Sequence, residues 1–344
     1  MTGPVGWAIA GSSEFALDYV LPAVLAEPRS QLRAIVSRDP GRVRERLRDD
    51  SITVTADLAD LPALGVDLVH LIVPNDLHRP MTLECLSLGC HVLVEKPMAV
   101  SAAEGAEMAA AARGAGRLLA VGSCMAWSPV ITRAQDLLRD DAIGRAWHAE
   151  IAAGFDTGDR RGWRQLTPTA AGGGVLNDLG AHAIDALIRL FGPVTEVTAS
   201  LRTTLPAHRS DDSASLLLQH AAGVTAHLEL AFTHGCNHLA VTGSTGRLAS
   251  HEWLGRRFAG DLIRHHDDAS AARFDARPDL QTDELAGAPV TDVLRLQAAE
   301  IVSAVRGEVP PEHADVGTAL QVLAVIEAAV RSAADRRTVL LSTG

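Results

Sequence analysis

Apolar residues in the first 120 positions occur in short runs that alternate with longer amphipathic segments. The runs are almost continuously apolar, which is typical of strands covered on both faces of a sheet. They span 5–11, 32–38, 66–74, 91–97 and 117–123, and a further short strand is predicted at about 51–56. Helix-compatible segments lie between them, at about 15–27, 40–49, 77–89 and 101–115. Repeated strand–helix–strand units predict an α/β fold with a Rossmann-type, doubly wound parallel sheet.

From about residue 125 the pattern changes to strands in which apolar and polar residues alternate. A helix at 129–141 and a strand at 145–155 come first, and a glycine-rich segment at 172–174 leads into another helix. The alternating strands then follow with little helix between them, as hairpin-linked antiparallel strands do. They span 194–204, 213–220, 224–233, 237–244 and 247–253.

The remainder of the chain is predicted to be mostly loop over the polar segment 255–290, with helices at 291–306 and 314–335. We therefore expect two domains: a dinucleotide-binding Rossmann domain at 1–124, and an α+β domain at 125–344 with an open, mostly antiparallel sheet. The last helices are the elements that can pack back on the first domain.

The composition narrows the class of function. Hydrophobic residues make up 47% and charged residues 21%, as in an ordinary soluble globular protein. The formal net charge of -11 and the aromatic share of 3% disfavour nucleic-acid and anionic-membrane partners. No apolar run approaches the roughly 18 residues that span a bilayer. The four cysteines lack CxxC spacing, which predicts reduced thiols in a cytoplasmic protein.

The turn after the first strand reads "GSSEFA" and resembles a dinucleotide-binding fingerprint with one substitution. In GxGxxG/A the first glycine permits the tight turn, and the helix N-terminus receives the pyrophosphate. Here the middle glycine is replaced by Ser13. The predicted cofactor-binding residues of this turn are Gly11, Ser12, Ser13, Glu14 and Phe15. The alternative is an ordinary strand-to-helix turn.

The end of the second strand bears on the choice of cofactor. An acidic residue at this place holds the ribose 2′-hydroxyl of NAD, whereas this chain has Ser37 and Arg38, with Arg42 one helical turn later. Guanidinium groups attract a 2′-phosphate. We therefore predict NADP, with NAD as the alternative. The competing interpretation is that Asp39-Pro40 only starts a helix whose arginines are solvated.

Two further strands end in polar residues at the carboxyl edge of the predicted sheet, where such folds bind ligands. One ends at Val73, Pro74 and Asn75, followed by His78. The next ends at Glu95, Lys96 and Pro97. A lysine there can hold a substrate oxygen that gains or loses a proton, although a lysine at a strand end is also commonly a surface residue.

A second chemical group lies in "GGGVLNDLGAHAID", residues 172–185. Asp178, His182 and Asp185 are spaced i, i+4 and i+7, which predicts one helix face. A histidine oriented by a carboxylate suits general acid–base chemistry. A metal site in this helix is disfavoured because the helix has one histidine and contains no HxxxH or CxxC pattern. A solvated face is disfavoured because the neighbouring positions are apolar.

The segments "DLVHLIVPNDLHRPMTLECLSLGCHVLVEKPMAV" and "GWRQLTPTAAGGGVLNDLGAHAIDALIRLFG" resemble the Gfo/Idh/MocA oxidoreductases. The resemblance implies that Lys96 is the catalytic lysine and that Asp178 and His182 complete the catalytic set. It also implies that a further group of residues lies near the nicotinamide half of the cofactor: Asn75, His78, Glu95, Trp163 and Arg164.

Within the family, the turn and the Ser37-Arg38 pair look most like the NADP-dependent sugar reductases, including the 1,5-anhydro-D-fructose reductases. One departure is the segment 121–129, which lacks the His-Asn and Arg residues common there. The expected substrate contacts are Lys96, Trp163, Asp178, His182 and Asp185.

The resemblance implies an NADP-dependent enzyme that interconverts a secondary alcohol and a ketone on a sugar or polyol. It also implies that the second domain supplies substrate contacts and an oligomer interface, so we expect a homo-oligomer whose active site lies in the cleft between the two domains. Two alternatives stay open at this point. One is a glycoside hydrolase that uses transient oxidation by NAD, and the other is a non-catalytic nucleotide-binding sensor.

Overall fold

The computed structural model describes residues 3–47, 49–255, 257–258, 262–266, 279–283 and 288–342. The chain divides into two compact units. The first comprises Met1–Cys124 and Val290–Leu320, and the second comprises Met125–Pro289 and Gln321–Gly344. The first unit therefore takes in a segment from near the end of the chain.

The first unit contains the predicted parallel sheet, with strand order β3-β2-β1-β4-β5-β6. The strands β1, β4 and β6 are buried at every position, which explains their continuously apolar sequences. The strands are β1 (Val5–Ala10), β2 (Ser30–Val36), β3 (Thr53–Thr55), β4 (Leu68–Leu71), β5 (His91–Glu95) and β6 (Leu119–Gly122). The helices between them are α1 (Leu21–Ala26), α2 (Pro40–Arg46), α3 (His78–Ser87) and α4 (Ala102–Ala115).

The second unit is built on a nine-stranded sheet in the order β15-β14-β12-β11-β7-β10-β9-β8-β17. The pairing of β7 with β10 is parallel and the other pairings are antiparallel, so the sheet is mixed but mostly antiparallel, as predicted. Its elements are α5 (Pro129–Arg139), β7 (Ala146–Gly154), α6 (Trp163–Leu166), α7 (Ala181–Phe191), β8 (Val194–Arg202), β9 (Ser213–His220), β10 (Thr225–Ala231), β11 (Cys236–Gly243) and β12 (Gly246–Ser250). The later strands are β13 (Arg257–Phe258), β14 (Leu262–His266), β15 (Asp279–Asp283), β16 (Ala288–Pro289) and β17 (Val339–Leu340).

The prediction that 255–290 is mostly loop is wrong for the described parts of that segment. β14 pairs with β12, and β15 pairs with β14, so both extend the edge of the large sheet. The pairing uses backbone hydrogen bonds, and an edge strand does not require an apolar face. β14 reads LIRHH and β15 reads DLQTD, and neither alternates apolar and polar positions, so the pattern of apolar residues did not predict them as strands.

Two helices complete the fold, α8 (Val290–Val305) and α9 (Val316–Asp335). α8 belongs to the first unit. By length and composition alone α9 is apolar enough to cross a membrane, contrary to the expectation from the apolar runs of the sequence. Its buried residues include Leu323, Ile326 and Ala329, and the core helix of a soluble protein has the same character.

Candidate active site

The turn after β1 forms the strand-to-helix connection that the fingerprint predicts. Gly11 has a φ of 122°, and a Cβ added there would lie 2.1 Å from the carbonyl oxygen of Ile72. Only glycine satisfies both conditions. Ser13 caps the following helix, because its Oγ accepts a hydrogen bond from Ala16 N–H at 3.2 Å. Glu14 is exposed, and Phe15 stacks on Tyr19.

Ser37 connects the turns that follow β1 and β2. Its Oγ lies 2.9 Å from the hydroxyl of Ser12 and accepts from Asp39 N–H at 3.2 Å. Asp39 in turn caps α2 by accepting from Arg42 N–H at 3.1 Å. Ser37 is buried, whereas Arg38 and Arg42 are exposed. The charged groups predicted to attract a 2′-phosphate are therefore the two that face solvent.

His78 holds the ends of β4 and β5 together. Its Nδ1 lies 2.9 Å from the carbonyl oxygen of Pro97, and its Nε2 lies 3.0 Å from that of Val73. The side chain is fully buried, and burial lowers its pKa. Pro74 begins a short 3-10 turn at Asn75–Leu77, in which Asn75 is buried. The structure thus gives His78 a backbone contact, so its predicted role beside the nicotinamide stays a prediction.

Lys96 directly follows β5 and is half-buried, and the Lys96–Pro97 peptide is cis. It is the only lysine in the chain, since every other residue of the 31 Lys and Arg positions is arginine. Lysine can exchange a proton near neutral pH when its surroundings allow it, whereas arginine in proteins cannot. This contrast separates Lys96 from all other basic side chains. The sequence alone shows this contrast, because a count of residue types identifies Lys96 as the single lysine.

The predicted acid–base segment includes a π-helical turn, Leu176–Gly180, that leads directly into α7. π-helical turns are rare in proteins, and those that do occur are often found at functional sites. Asp178 lies in the π-turn and His182 in α7. The expectation of one face assumed regular α-helical turns, so the π-turn changes the angular relation between these two side chains.

Asp178 and Asp185 have different surroundings. The Asp178 carboxylate lies 3.1 Å from Nε of Arg164, and the Arg164 guanidinium lies 4.5 Å from the centre of the Trp163 ring. Asp185 is 4% exposed and accepts from Nε of Arg189 at 2.9 Å. The structure thus brings together Trp163, Arg164 and Asp178, while Asp185 forms a buried ion pair within α7.

Asp211 braces the glycine-rich segment, and its role was not predicted from the sequence. Its Oδ2 accepts from Leu176 N–H at 2.8 Å, at the start of the π-turn, and its Oδ1 accepts from the Thr169 hydroxyl. A Cβ on Gly174, whose φ is 89°, would lie 1.9 Å from Asp211 Oδ1. Asn177 adds bonds from Nδ2 to the carbonyl oxygens of Thr169 and Gly173. The sequence pattern that could have indicated this role is the pair Asp211-Asp212, directly before the alternating strand at 213–220.

The turn after β1 fits a dinucleotide. In the part of the chain that the structure describes, no residue accepts from the backbone N–H groups of Ser12, Ser13 and Glu14. Such N–H groups at a helix start bind phosphate oxygens. The serine hydroxyls beside them are short and polar. We conclude that this turn can hold the pyrophosphate of a dinucleotide.

Comparisons with known proteins agree with this geometry. The oxidoreductase family described as having an NAD-binding Rossmann fold matches residues 5–123, and the GFO/IDH/MocA C-terminal domain matches residues 131–249. A 1,5-anhydro-D-fructose reductase of Ensifer adhaerens is 30% identical over 66% of this chain and 69% of its own. A dTDP-3,4-didehydro-2,6-dideoxy-alpha-D-glucose 3-reductase of Actinomadura kijaniata is 29% identical over 74% and 76%.

Solved structures show the same fold over the whole chain. An aldose–aldose oxidoreductase from Caulobacter crescentus, complexed with glycerol, has a TM-score of 0.84 at 26% identity and covers 98% of this chain and 100% of its own. GenD2 from gentamicin A biosynthesis, in complex with NAD, has a TM-score of 0.82 at 26% identity and covers 100% and 98%. With its Rossmann unit, its second mixed sheet and both matched domains, this chain belongs to the Gfo/Idh/MocA family of oxidoreductases.

Proposed function

We propose that the protein is an NADP-dependent oxidoreductase that interconverts a secondary alcohol and a ketone on a sugar or sugar-like polyol. The observation that carries the proposal is the position of Lys96. The only lysine of an arginine-rich chain directly follows β5, at the carboxyl edge of the parallel sheet. The named sugar reductases among the relatives support the substrate class.

Each proposed residue has a chemical task. Lys96 donates a hydrogen bond to the reacting oxygen and stabilises the negative charge that develops on it. His182 exchanges the hydroxyl proton, and Asp178 orients the histidine and the substrate. Arg164 pairs with Asp178 and holds its carboxylate in place. When bound, the nicotinamide would supply the hydride donor or acceptor.

The assignment of Lys96 is tested by Lys96→Met, with Lys96→Arg as the control that keeps the charge. We expect NADPH affinity to change by no more than a few-fold in both variants. In Lys96→Met kcat should fall about 10²–10⁴-fold, because the hydrogen-bond donor and its charge are lost, whereas Lys96→Arg keeps both and should retain more turnover. Binding is measured by fluorescence titration, and turnover by nicotinamide absorbance. Turnover close to that of the parent in Lys96→Met would refute the proposed function.

The preference for NADP rests on the exposed guanidinium groups of Arg38 and Arg42. Arg38→Ala should weaken NADPH binding about tenfold or more while NADH binding changes little, because a charge-assisted bond to phosphate is worth about 1.5–3 kcal/mol. Arg44→Ala removes another exposed arginine of α2 and serves as the matched control. Equal losses for both nucleotides would contradict the preference.

A glycoside hydrolase that uses transient oxidation is the rival function. It would release an aglycone with no net change in nicotinamide absorbance, whereas the proposed enzyme changes that absorbance in proportion to product. Measuring aglycone release and nicotinamide absorbance on the same glycosides separates the two, and a panel of ketosugars and sugar alcohols, assayed with NADPH and NADH, identifies the substrate. Homo-oligomerisation and a cytoplasmic location remain predictions, which size-exclusion chromatography and cell fractionation test.

A further inference from the structure

A buried polar group lies in the first unit next to the strand end that precedes Lys96. His70 on β4 is 1% exposed, and its Nε2 lies 3.1 Å from Oε1 of Glu95, the last residue of β5. The Glu95 side chain is 14% exposed. A Cβ on Gly122 of β6 would lie 2.7 Å from Glu95 Oε1 and 3.4 Å from Nε2 of Gln297 on α8. The carboxylate therefore lies in a pocket formed by β4, β6 and α8.

Trp7, His70 and Gln297 are among the residues that line one small cavity beside this pair. Each has a buried polar atom with no hydrogen-bond partner among the described residues: Nε1 of Trp7, Nδ1 of His70 and Oε1 of Gln297. The cavity has a volume of about 10 Å³. That volume is near the lower limit for holding one water molecule, and a buried water typically makes about three hydrogen bonds. An unsatisfied buried polar atom costs about 1–3 kcal/mol.

One water molecule in this cavity would accept from the indole N–H of Trp7 and donate its two hydrogens to His70 Nδ1 and Gln297 Oε1. With Nδ1 as the acceptor, the other ring nitrogen, Nε2–H, would donate to the Glu95 carboxylate. Trp7 is on β1 and Gln297 on α8, so such a water would connect the sheet to that helix.

We propose that this water and His70 hold Glu95 in place, and that Glu95 thereby positions Lys96. The inference rests on the proposed role of Lys96. Because Lys96 directly follows Glu95, anchoring the carboxylate fixes the peptide from which the lysine side chain extends. Glu95 and His70 are thus positioning residues, whereas the family resemblance implied a place for Glu95 beside the nicotinamide.

The single lysine gives a direct test. Protein grown with ¹³C-labelled lysine has one labelled residue, so one Cε signal reports on Lys96. His70→Phe and Glu95→Leu should shift or split this signal and lower kcat about tenfold or more, because a 1 Å displacement at a reacting group can cost about 10²-fold. Glu95→Gln retains an acceptor for His70 and should recover kcat to within a few-fold of the parent.

His220→Phe is the matched control, since it removes a buried histidine of the second unit whose Nε2 also has no partner among the described residues. It should lower stability and leave the lysine signal and kcat of the folded enzyme unchanged. An unchanged lysine signal and kcat in Glu95→Leu, with Lys96→Met inactive, would overturn this inference alone. Weakened NADPH binding in Glu95→Gln would contradict the inference and indicate instead that Glu95 contacts the nicotinamide half of the cofactor. A crystal structure in which this cavity contains no water molecule would refute the proposed role of the water.

A separate cluster in the second unit has the donor set of a metal site. The ligand atoms of Glu229, His234 and Cys236 lie within 4.8 Å of one another. Glu229 is on β10, His234 is in the connection that follows β10, and Cys236 is the first residue of β11. β7 lies between β10 and β11, and its Gly154 leaves room for the connection, since a Cβ there would lie 2.8 Å from Cys236 Sγ. Thr233 Oγ1 lies 3.0 Å from Nδ1 of His234, which leaves Nε2 as the ligand nitrogen.

We infer that Glu229, His234 and Cys236 bind one zinc-class divalent cation and so clip the β10–β11 connection across β7. Thiolate, imidazole and carboxylate together select Zn²⁺ or Co²⁺ over Mg²⁺ or Ca²⁺. The cation would take the place of the direct contact between Glu229 Oε1 and His234 Nε2, which are 3.1 Å apart. Cys236 binds a cation as the thiolate, so binding displaces the thiol proton.

Co²⁺ titration of the intact protein tests this site. We expect one Co²⁺ per chain with a thiolate charge-transfer band, and a loss of affinity of about 100-fold in Cys236→Ser. His227→Gln, an exposed change on the same strand as Glu229, is the control and should bind normally. A titration without the charge-transfer band, or equal affinity in Cys236→Ser and the parent, would overturn the assignment.

Discussion

Substitution of Gly174 by alanine tests how the glycine-rich segment is held. Gly174 has a φ of 89°, and the added methyl carbon would lie 1.9 Å from Asp211 Oδ1. That carboxylate is buried and accepts from Leu176 N–H and from the Thr169 hydroxyl. Burial raises the pKa of Asp211, and those bonds act in the opposite direction. The added methyl group and the carboxylate cannot both keep these positions, so we expect the carboxylate to move.

The expected cost follows from these contacts. A non-glycine residue at positive φ costs about 1 kcal/mol, and loss of two hydrogen bonds to a buried carboxylate costs about 1.5 kcal/mol each. The free energy of unfolding should therefore fall by about 4 kcal/mol. Gly158 also has positive φ, at 52°, but a Cβ there meets nothing within 4 Å. Gly158→Ala should thus cost only about 1 kcal/mol.

Urea unfolding followed by circular dichroism measures both variants. Gly174→Ala should also lower turnover, because Leu176 begins the π-turn that carries Asp178. NADPH affinity should fall by no more than a few-fold, since the predicted pyrophosphate-binding turn belongs to the first unit, although Arg164, the partner of Asp178, is also a predicted cofactor contact. Equal losses of stability in the two variants, or normal turnover in Gly174→Ala, would show that Asp211 does not brace this segment.

Two further predictions concern buried charge. Asp185→Asn removes the charge that pairs with Arg189 and should lower the free energy of unfolding by about 1–3 kcal/mol; a raised KM with unchanged stability would instead identify Asp185 as a substrate contact. Burial lowers the pKa of His78 and of His220 in the folded protein. Below about pH 6.5, the pKa of a histidine in the unfolded chain, the unfolded state therefore binds more protons than the folded state. Stability should be constant above that pH and fall as the pH drops from about 6.5 toward the folded-state pKa values, by up to about 1.4 kcal/mol per histidine and pH unit. Urea midpoints at about pH 5.5 and about pH 7.5, on either side of the unfolded-state pKa, measure it; an equal or higher midpoint at the lower pH would contradict it.

The amino-acid sequence by itself determined the alternation of elements and the candidate chemistry. Continuous apolar runs predict β1 and β4 because a strand covered on both faces has no polar side. The Lys96 and Asp178/His182 motifs are local in sequence, so they are visible without a structure. The confirmed parallel sheet and family follow from such local signals.

Only the tertiary structure decided which groups support those motifs. Asp211 meets the π-turn across 35 residues of chain, and Gln297 meets the cavity beside Glu95 from a helix near the other end of the sequence. No periodicity encodes such pairs, because each contact depends on how separate elements pack. Backbone pairing likewise forms β14 and β15 from segments that show no alternation of apolar and polar positions. Periodicity records which side of an element is buried, whereas the fold alone determines what that side touches.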